Sequence, residues 1–421
     1  MSDNFKSYSN EAPASNLVLI IGAGCTGLCL ANGLKKASIP CVVFEQNAEA
    51  FGGKTDRFQG RDWNFGIHWS VPILQTLLPP ELFAQLRDCQ VDSSLPLPED
   101  AVLDFYNGES GVKITHVDVG KWYRLKRSKL QSLLRQGIDV RYGKKLENVT
   151  YSEDGKIVTA HFADGTETKG IFLAGADGSR SETRQLLLGF EKAALARLPF
   201  GAAFVQSTYS PERALFLRQW HPLHIAAVHP KGLVSWWGVH DIPNQEDPEN
   251  WVFYTYISFP YSIEEQENTK DWTNEMRLKQ LKGLAKDFCD PWKSGYEWIP
   301  NNQLIWYHGM TQWDPTASDH QWDNHGGRIT LAGDSAHPMT YQRGQGLNHS
   351  IADAANLTKA VVRFFNNGLE ARKVAIAEYE REMIDRGGEE VRLCHQNTVM
   401  VHNWETFMES PILKQGLKFE K

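Results

Sequence analysis

Two kinds of hydrophobic periodicity divide this chain. Short unbroken apolar runs occur at Leu17-Val18-Leu19-Ile20-Ile21, at Cys41-Val42-Val43-Phe44 and at Arg328-Ile329-Thr330-Leu331-Ala332. A run without alternation fits a central parallel strand buried on both faces. Between about 191 and 300 the pattern turns alternating and aromatic-rich, as in Leu233-Val234-Ser235-Trp236-Trp237-Gly238-Val239 and Trp251-Val252-Phe253-Tyr254-Thr255-Tyr256-Ile257. That pattern predicts antiparallel strands covering a cavity. Helical spacing is expected behind Gly27 (Leu28, Leu30, Ala31, Leu34), from Arg127, around Asp353 to Leu357, over Glu275–Phe288, and from Val374 to about Asn403. The last of these carries charged pairs four residues apart.

The first apolar run leads directly into Gly22-Ala23-Gly24-Cys25-Thr26-Gly27, then a helix, then a second strand ending at Glu45. This order is that of a dinucleotide-binding unit. Gly22 permits a tight turn, Gly24 lets backbone approach a pyrophosphate, and Gly27 lets helix and strand pack closely. The helix start aims free N–H groups at phosphate, while Glu45 can accept hydrogen bonds from a ribose diol. The strand Arg328–Ala332 is followed by Gly333-Asp334, and Gly344-Gln345-Gly346-Leu347-Asn348 opens the helix that carries Asp353. Asp334 would accept from a ribityl hydroxyl, and the second glycine turn would place N–H groups near a phosphate or a flavin edge.

Bulk properties narrow the class without naming it. The 421 residues are ample for two or three domains, with 41% apolar and 23% charged residues, as in soluble globular proteins. A net charge of −7 gives no reason to expect nucleic acid or an anionic membrane as a partner. No apolar run is long enough for a membrane span, and residues 1–16 lack the basic and hydrophobic regions of a signal peptide. They read as a disordered leader, and the chain as soluble, intracellular and cytoplasmic. Six scattered cysteines show no metal-ligand or disulfide spacing. Fourteen Trp and 20 Phe suggest a large aromatic interior.

Three separated motifs carry a resemblance: Gly22-x-Gly24-x-x-Gly27 with Glu45, Gly175-Ala176-Asp177-Gly178-Ser179-Arg180 running on to Arg184, and Gly333-Asp334 through Asp353. Together they resemble the group A, single-component FAD-dependent monooxygenases with the p-hydroxybenzoate hydroxylase fold. Among these, the fungal secondary-metabolite enzymes are the most similar. The resemblance implies an α/β fold: a Rossmann-type FAD-binding domain interleaved with an antiparallel-sheet substrate domain, plus C-terminal helices. Motif positions place the flavin domain at 16–75, 100–190 and 300–365, the substrate domain at 76–99 and 191–299, and a helical segment at 366–421. Asp177 resembles the family's residue serving flavin and nicotinamide, and Arg127 its arginine on the flavin side. Gly344, Gly346, Leu347 and Asn348 are expected against the cofactor. Lys54, Arg57 and Arg61 are alternative partners for the pyrophosphate.

The implied chemistry is reduction of FAD by NADH or NADPH, reaction with dioxygen to a flavin C4a-hydroperoxide, and hydroxylation or epoxidation of a hydrophobic, aromatic or polycyclic metabolite. With no second glycine fingerprint, the nicotinamide would be a transient visitor. A flavin oxidase or dehydrogenase on the same fold, and a flavin-binding protein without turnover, are the alternatives. Where the family often carries a proline-rich loop, this chain has Met339-Thr340-Tyr341-Gln342-Arg343. Tyr341 and Arg343 would then lie near the flavin ring, and Arg343 could bind a substrate oxygen or stabilise reduced flavin. His68 is the third catalytic candidate, as a group that tunes the flavin or deprotonates a phenol. A monomer or a homodimer would serve equally.

Overall fold

The computed structural model describes residues 16–47 and 62–409. Lys54, Arg57, Arg61 and all but the last residue of the expected leader lie outside the described residues. Around the glycine loop is a five-stranded parallel sheet, in the order Ile329–Leu331, Phe172–Gly175, Val18–Ile21, Cys41–Phe44, Val140–Arg141. Its middle strand, Val18–Ile21, is buried at every position. Each such aliphatic side chain contributes about 1.5–3 kcal/mol of transfer free energy, so the two-faced burial read from the unbroken run is what anchors the sheet. The helices Cys25–Lys36 and Gly346–Asn367 pack side by side on one face, sharing a core through Leu28, Ala31, Ile351, Ala354 and Leu357. A smaller antiparallel sheet over Leu146–Tyr151, Val158–Phe162 and Glu167–Gly170 covers the other face.

The second layer is a seven-stranded sheet, ordered Ile305–Gln312, Ala196–Ser207, Val252–Pro260, Leu233–Asp241, His224–His229, Ala101–Asn107, Lys113–Gly120. It is antiparallel except where His224–His229 runs parallel to Ala101–Asn107. Alternation divides it into two functional faces. Ala203, Val205, Trp237, Phe253 and Ile257 point into a core closed by the helices Asn274–Ala285 and Trp292–Glu297. Their neighbours Phe204, Trp236, Tyr254 and Tyr256 point the other way, toward the parallel sheet. A strand turns successive side chains to opposite faces, so one aromatic-rich sequence supplies both a core and a cavity wall.

Three strands depart from the expected domain ranges. Ala101–Asn107, Lys113–Gly120 and Ile305–Gln312, read as part of the flavin-binding pieces, all join the seven-stranded sheet. Their patterns explain this: Ala101–Asn107 is half-buried throughout and Lys113–Gly120 mixes exposed and buried positions. Such strands suit a sheet with one wetted face rather than a doubly covered parallel centre. The C-terminal part forms a 30-residue helix, Arg372–Val401, and a short one, Trp404–Glu409. No helix among the described residues is long and apolar enough to cross a membrane.

Candidate active site

A single cavity of about 750 Å³ runs from the glycine loop to the aromatic face of the seven-stranded sheet. Its first half is made mostly of backbone. Gly22 has φ +105°, and a Cβ there would lie 2.4 Å from the Ala176 carbonyl oxygen, so only glycine lets the two loops meet. A Cβ on Gly27 would lie 2.1 Å from the Gly22 carbonyl oxygen, which is the helix–strand approach expected of it. Before Gly24 the space is open to 4 Å. Glu45, at the end of its strand, accepts from the Ala23 N–H at 3.0 Å and from the Asn47 N–H and side-chain amide through its other oxygen. The carboxylate is thereby held beside the loop.

Asp334 is the second acidic group of this half. Its carboxylate receives no hydrogen bond from the described residues and faces the cavity, and burial raises its pKa above the ordinary carboxylate value. A deep, open acceptor of this kind fits a cofactor hydroxyl. Asp177 also lines the cavity, but its oxygens accept from Ser181 Oγ at 2.5 Å and the Thr183 N–H at 2.9 Å. That arrangement caps the helix Glu182–Leu188. Arg127 opens the helix Arg127–Leu134 and its guanidinium lies 4.2 Å from the centre of the Trp63 ring. Gly344, at φ +65°, turns the chain into the helix Gly346–Asn367, whose Gly346 and Leu347 reach the wall.

Asn348 departs from expectation, because it is fully buried and off the cavity wall. Its Oδ1 accepts from the His68 N–H at 3.1 Å and from Ser70 Oγ at 2.8 Å, and its amide donates to the Gly66 and Gly344 carbonyls. With all its valences met inside the protein, it ties the helix start to the strand Asn64–Ile67 instead of reaching outward. Gly27 is likewise off the cavity wall, packed against the Gly22 carbonyl and the Ile20 side chain.

The three catalytic candidates do converge on the cavity. They differ in what they can do there. Arg343 is already neutralised, its Nε donating to Glu390 at 2.8 Å. Tyr341 packs edge-on against Tyr256 and Phe204, with ring centres 5.1 and 5.3 Å away, and burial pushes its phenol well above the ordinary value. It is a donor, not a base. Burial lowers His68 to about 4, so its ring is neutral at neutral pH. A neutral imidazole can accept a proton or a hydrogen bond. Behind them, the fully buried His337 and Asp353 meet at 2.7 Å, and Arg386 holds the other oxygen of Asp353 at 2.6 Å. Asp353 in turn accepts from the Gly333 N–H, fixing the turn that carries Asp334.

The second half of the cavity is the aromatic wall expected from the alternating strands, though no motif had singled out its individual residues. Cross-strand pairing lines up Trp306, Phe204, Tyr256, Trp236, Ala226 and Phe105 as direct neighbours across six strands, and all six line the cavity. Opposite them the strand Tyr123–Lys126 brings Arg124, next to Trp122. Gly66 pairs with Arg124, and a Cβ on Gly66 would lie 2.1 Å from the Trp122 indole nitrogen. The alternation of Leu233–Asp241 and Val252–Pro260 was the available signal for the aromatic row. Nothing local marks Arg124, since three residues of separation from Arg127 carry no chemistry until the strand is placed.

Comparison with known proteins now decides the family. Residues 97–392 match the FAD binding domain family, and residues 20–80 match the NAD(P)-binding Rossmann-like domain family. The chain is 37% identical over 402 residues to the FAD-dependent monooxygenase cctM of Talaromyces islandicus, covering 95% of this chain and 96% of that one. It belongs to the FAD-dependent monooxygenases. A second relative, the FAD-dependent monooxygenase phnB of Penicillium herquei, is 34% identical, with 95% and 94% covered. The fold of this monooxygenase is also that of Klebsiella pneumoniae HpxO, solved with FAD and uric acid, at a TM-score of 0.70 and 17% identity, covering 95% of this chain and 92% of that one. FAD is therefore the cofactor the glycine-lined half must accommodate, and the residues there fit it.

Proposed function

We propose that this monooxygenase uses NADH or NADPH to insert one oxygen atom from dioxygen into a hydrophobic aromatic or polycyclic molecule. One observation carries the reading: the glycine-lined half and the aromatic half are one cavity, so a bound dinucleotide and an aromatic guest share a single continuous space. FAD supplies the redox and oxygen-transfer chemistry. The residues around it bind, orient and exclude water. Gly24 and the start of the helix Cys25–Lys36 receive the pyrophosphate, Glu45 a ribose, and Asp334 a ribityl hydroxyl. Gly346 and Leu347 present backbone N–H groups at the second helix start. Tyr341 donates a hydrogen bond from the aromatic wall, and neutral His68 accepts a hydrogen bond rather than a proton. The row from Trp306 to Phe105 offers ring faces for stacking and keeps water away from the reacting carbon.

The deciding experiment follows NAD(P)H oxidation by the purified holoenzyme under isotopically labelled dioxygen with a panel of phenolic aromatics. Incorporation of one labelled atom into product, with little hydrogen peroxide, is the expected result. Stoichiometric peroxide with no label in any product would instead mark an oxidase.

A further inference from the structure

The aromatic half of the cavity contains a charge, that of Arg124, which no group among the described residues neutralises. Several other arginines are matched within the protein. Arg184 donates to the backbone carbonyls of Ser179, Ala193 and Ser335, and Arg372 to those of Gly155, Lys156 and Ile171. Arg218 pairs with Asp92, Arg343 with Glu390, and Arg386 with Asp353. Arg124 has no such partner: among the described residues neither a carboxylate nor any hydrogen-bond acceptor meets its guanidinium. It lies over the Trp236 ring, with the guanidinium carbon 4.9 Å from the ring centre. The oxygen-bearing groups that act on it are the phenols of Tyr254 and Tyr256, and burial lowers it only to about 10. Arg124 is thus a cation at neutral pH.

Arg124 is half-buried, and a cation partly withdrawn from water with no counter-charge is costly. A ring face returns only a part of that, about 0.5–2 kcal/mol. The surroundings make the imbalance directional. Arg124 stands over the sheet row at Trp236, next to Ala226, the one small residue among five aromatics. A flat ring system occupying the space at Ala226 would bring an acidic oxygen to the guanidinium. Gly22, Gly24, Glu45 and Asp334, which fit the cofactor, belong to the other half of the cavity.

We propose that the guest of the aromatic half binds as an anion, a planar aromatic carrying an ionised phenol or carboxylate, and that Arg124 is the residue that receives the charge. This deepens the monooxygenase reading and rests on it for the word substrate. A planar anion matches the fork of a guanidinium in a way that no neutral aromatic can. An ionised phenol, unlike a carboxylate, also feeds electron density to the carbons ortho and para to it, which is where an electrophilic oxygen would be accepted. Recognition and activation would then be served by the same ionised group.

The test uses the FAD-loaded enzyme and three probes: naphthoate, its neutral methyl ester, and naphthol. Binding is read from perturbation of the visible flavin spectrum, without requiring turnover. Wild type should bind the acid roughly tenfold to a hundredfold more tightly than the ester. Arg124→Gln should erase that preference while keeping its flavin, and Arg124→Lys should retain part of it. Ala226→Leu should weaken acid and ester alike, leaving their ratio unchanged. Naphthol separates the two sources of charge: naphtholate absorbance in the complex, at a pH where the free compound is neutral, marks the phenolate as a form the site holds. Equal affinity for acid and ester in wild type overturns the proposal, as does an undiminished preference in Arg124→Gln. Loss of flavin from both Arg124→Gln and Arg124→Lys would assign the residue to the cofactor and overturn it as well. A preference that holds with no labelled oxygen in any product would sink the monooxygenase reading and leave the anion site standing.

Discussion

The two halves of the cavity are built by opposite rules. The glycine-lined half is made of backbone brought close together, and its members lie within a few residues of one another in three motifs. Side chains are kept out of it: at Gly22 and Gly27 a single added carbon would come within 2.4 Å and 2.1 Å of a carbonyl oxygen. The aromatic half is made of side chains, each supplied by a different strand of the seven-stranded sheet or by the strand Tyr123–Lys126 facing it. One half recognises a constant ligand through groups every residue possesses. The other recognises a variable guest through groups that substitution can change without disturbing the frame. The contrast teaches where tolerance to mutation should lie.

The sharpest way to break this comparison is at the backbone end. Gly22→Ala should cost about 5 kcal/mol, because the new carbon meets carbonyl oxygen at an already left-handed residue. The variant should purify with little flavin and a strongly lowered Tm, and one that stays stable and yellow would refute the packing argument. Next comes a pair of adjacent tryptophans on opposite faces of one strand. Trp237→Ala should lose about 3–5 kcal/mol of folding stability by emptying the core. Trp236→Ala should lose about 1 kcal/mol or less and instead weaken ligand binding. Chemical denaturation beside ligand titration separates the two, and equal stability losses would erase the distinction between core face and cavity face.

Asp334→Asn is a subtler probe of the cofactor half. Because the Asp334 carboxylate accepts nothing from the described residues, its removal should leave Tm nearly unchanged while FAD affinity falls roughly tenfold or more. A large loss of apo-protein stability would contradict that separation. The smallest effect concerns His68. Burial lowers its folded-state value to about 4 from an ordinary value of 6.5, so the unfolded chain takes up the proton first as the solution is acidified. Stability from this group is complete above about 6.5 and is lost progressively toward 4. His68→Asn should therefore lose less stability than wild type across that window, by about 1–2 kcal/mol after allowance for partial exposure. Denaturation series at the two ends of the window provide the measurement.

Much of the frame could be read before any coordinates. The unbroken runs at Val18–Ile21, Cys41–Phe44 and Ile329–Leu331 became neighbours in one parallel sheet because burial on both faces leaves no room for polar alternation. Helices expected near Glu275 and Val374 formed over Asn274–Ala285 and Arg372–Val401. The strands Ala101–Asn107 and Lys113–Gly120 went to the other sheet, because their half-exposed pattern says how wet a face is and not which sheet it belongs to. A motif that fixes backbone shape carries its residues to the cavity wall, as at Gly22 and Asp334. Where only partners decide, spacing says nothing, as with Asn348, whose amide is engaged by Gly66, Gly344, His68 and Ser70.

Sequence alone therefore determined the local units of this monooxygenase, because turns, caps and burial are set by neighbours a few residues apart. Only tertiary structure decided which side chains meet. Register across six strands made one row of Trp306, Phe204, Tyr256, Trp236, Ala226 and Phe105, and placed Arg124 above it with no counter-charge among the described residues. Pairing between residues so distant in the chain is a property of the assembled sheet, since what decides whether a buried cation is matched is the whole set of groups packed around it.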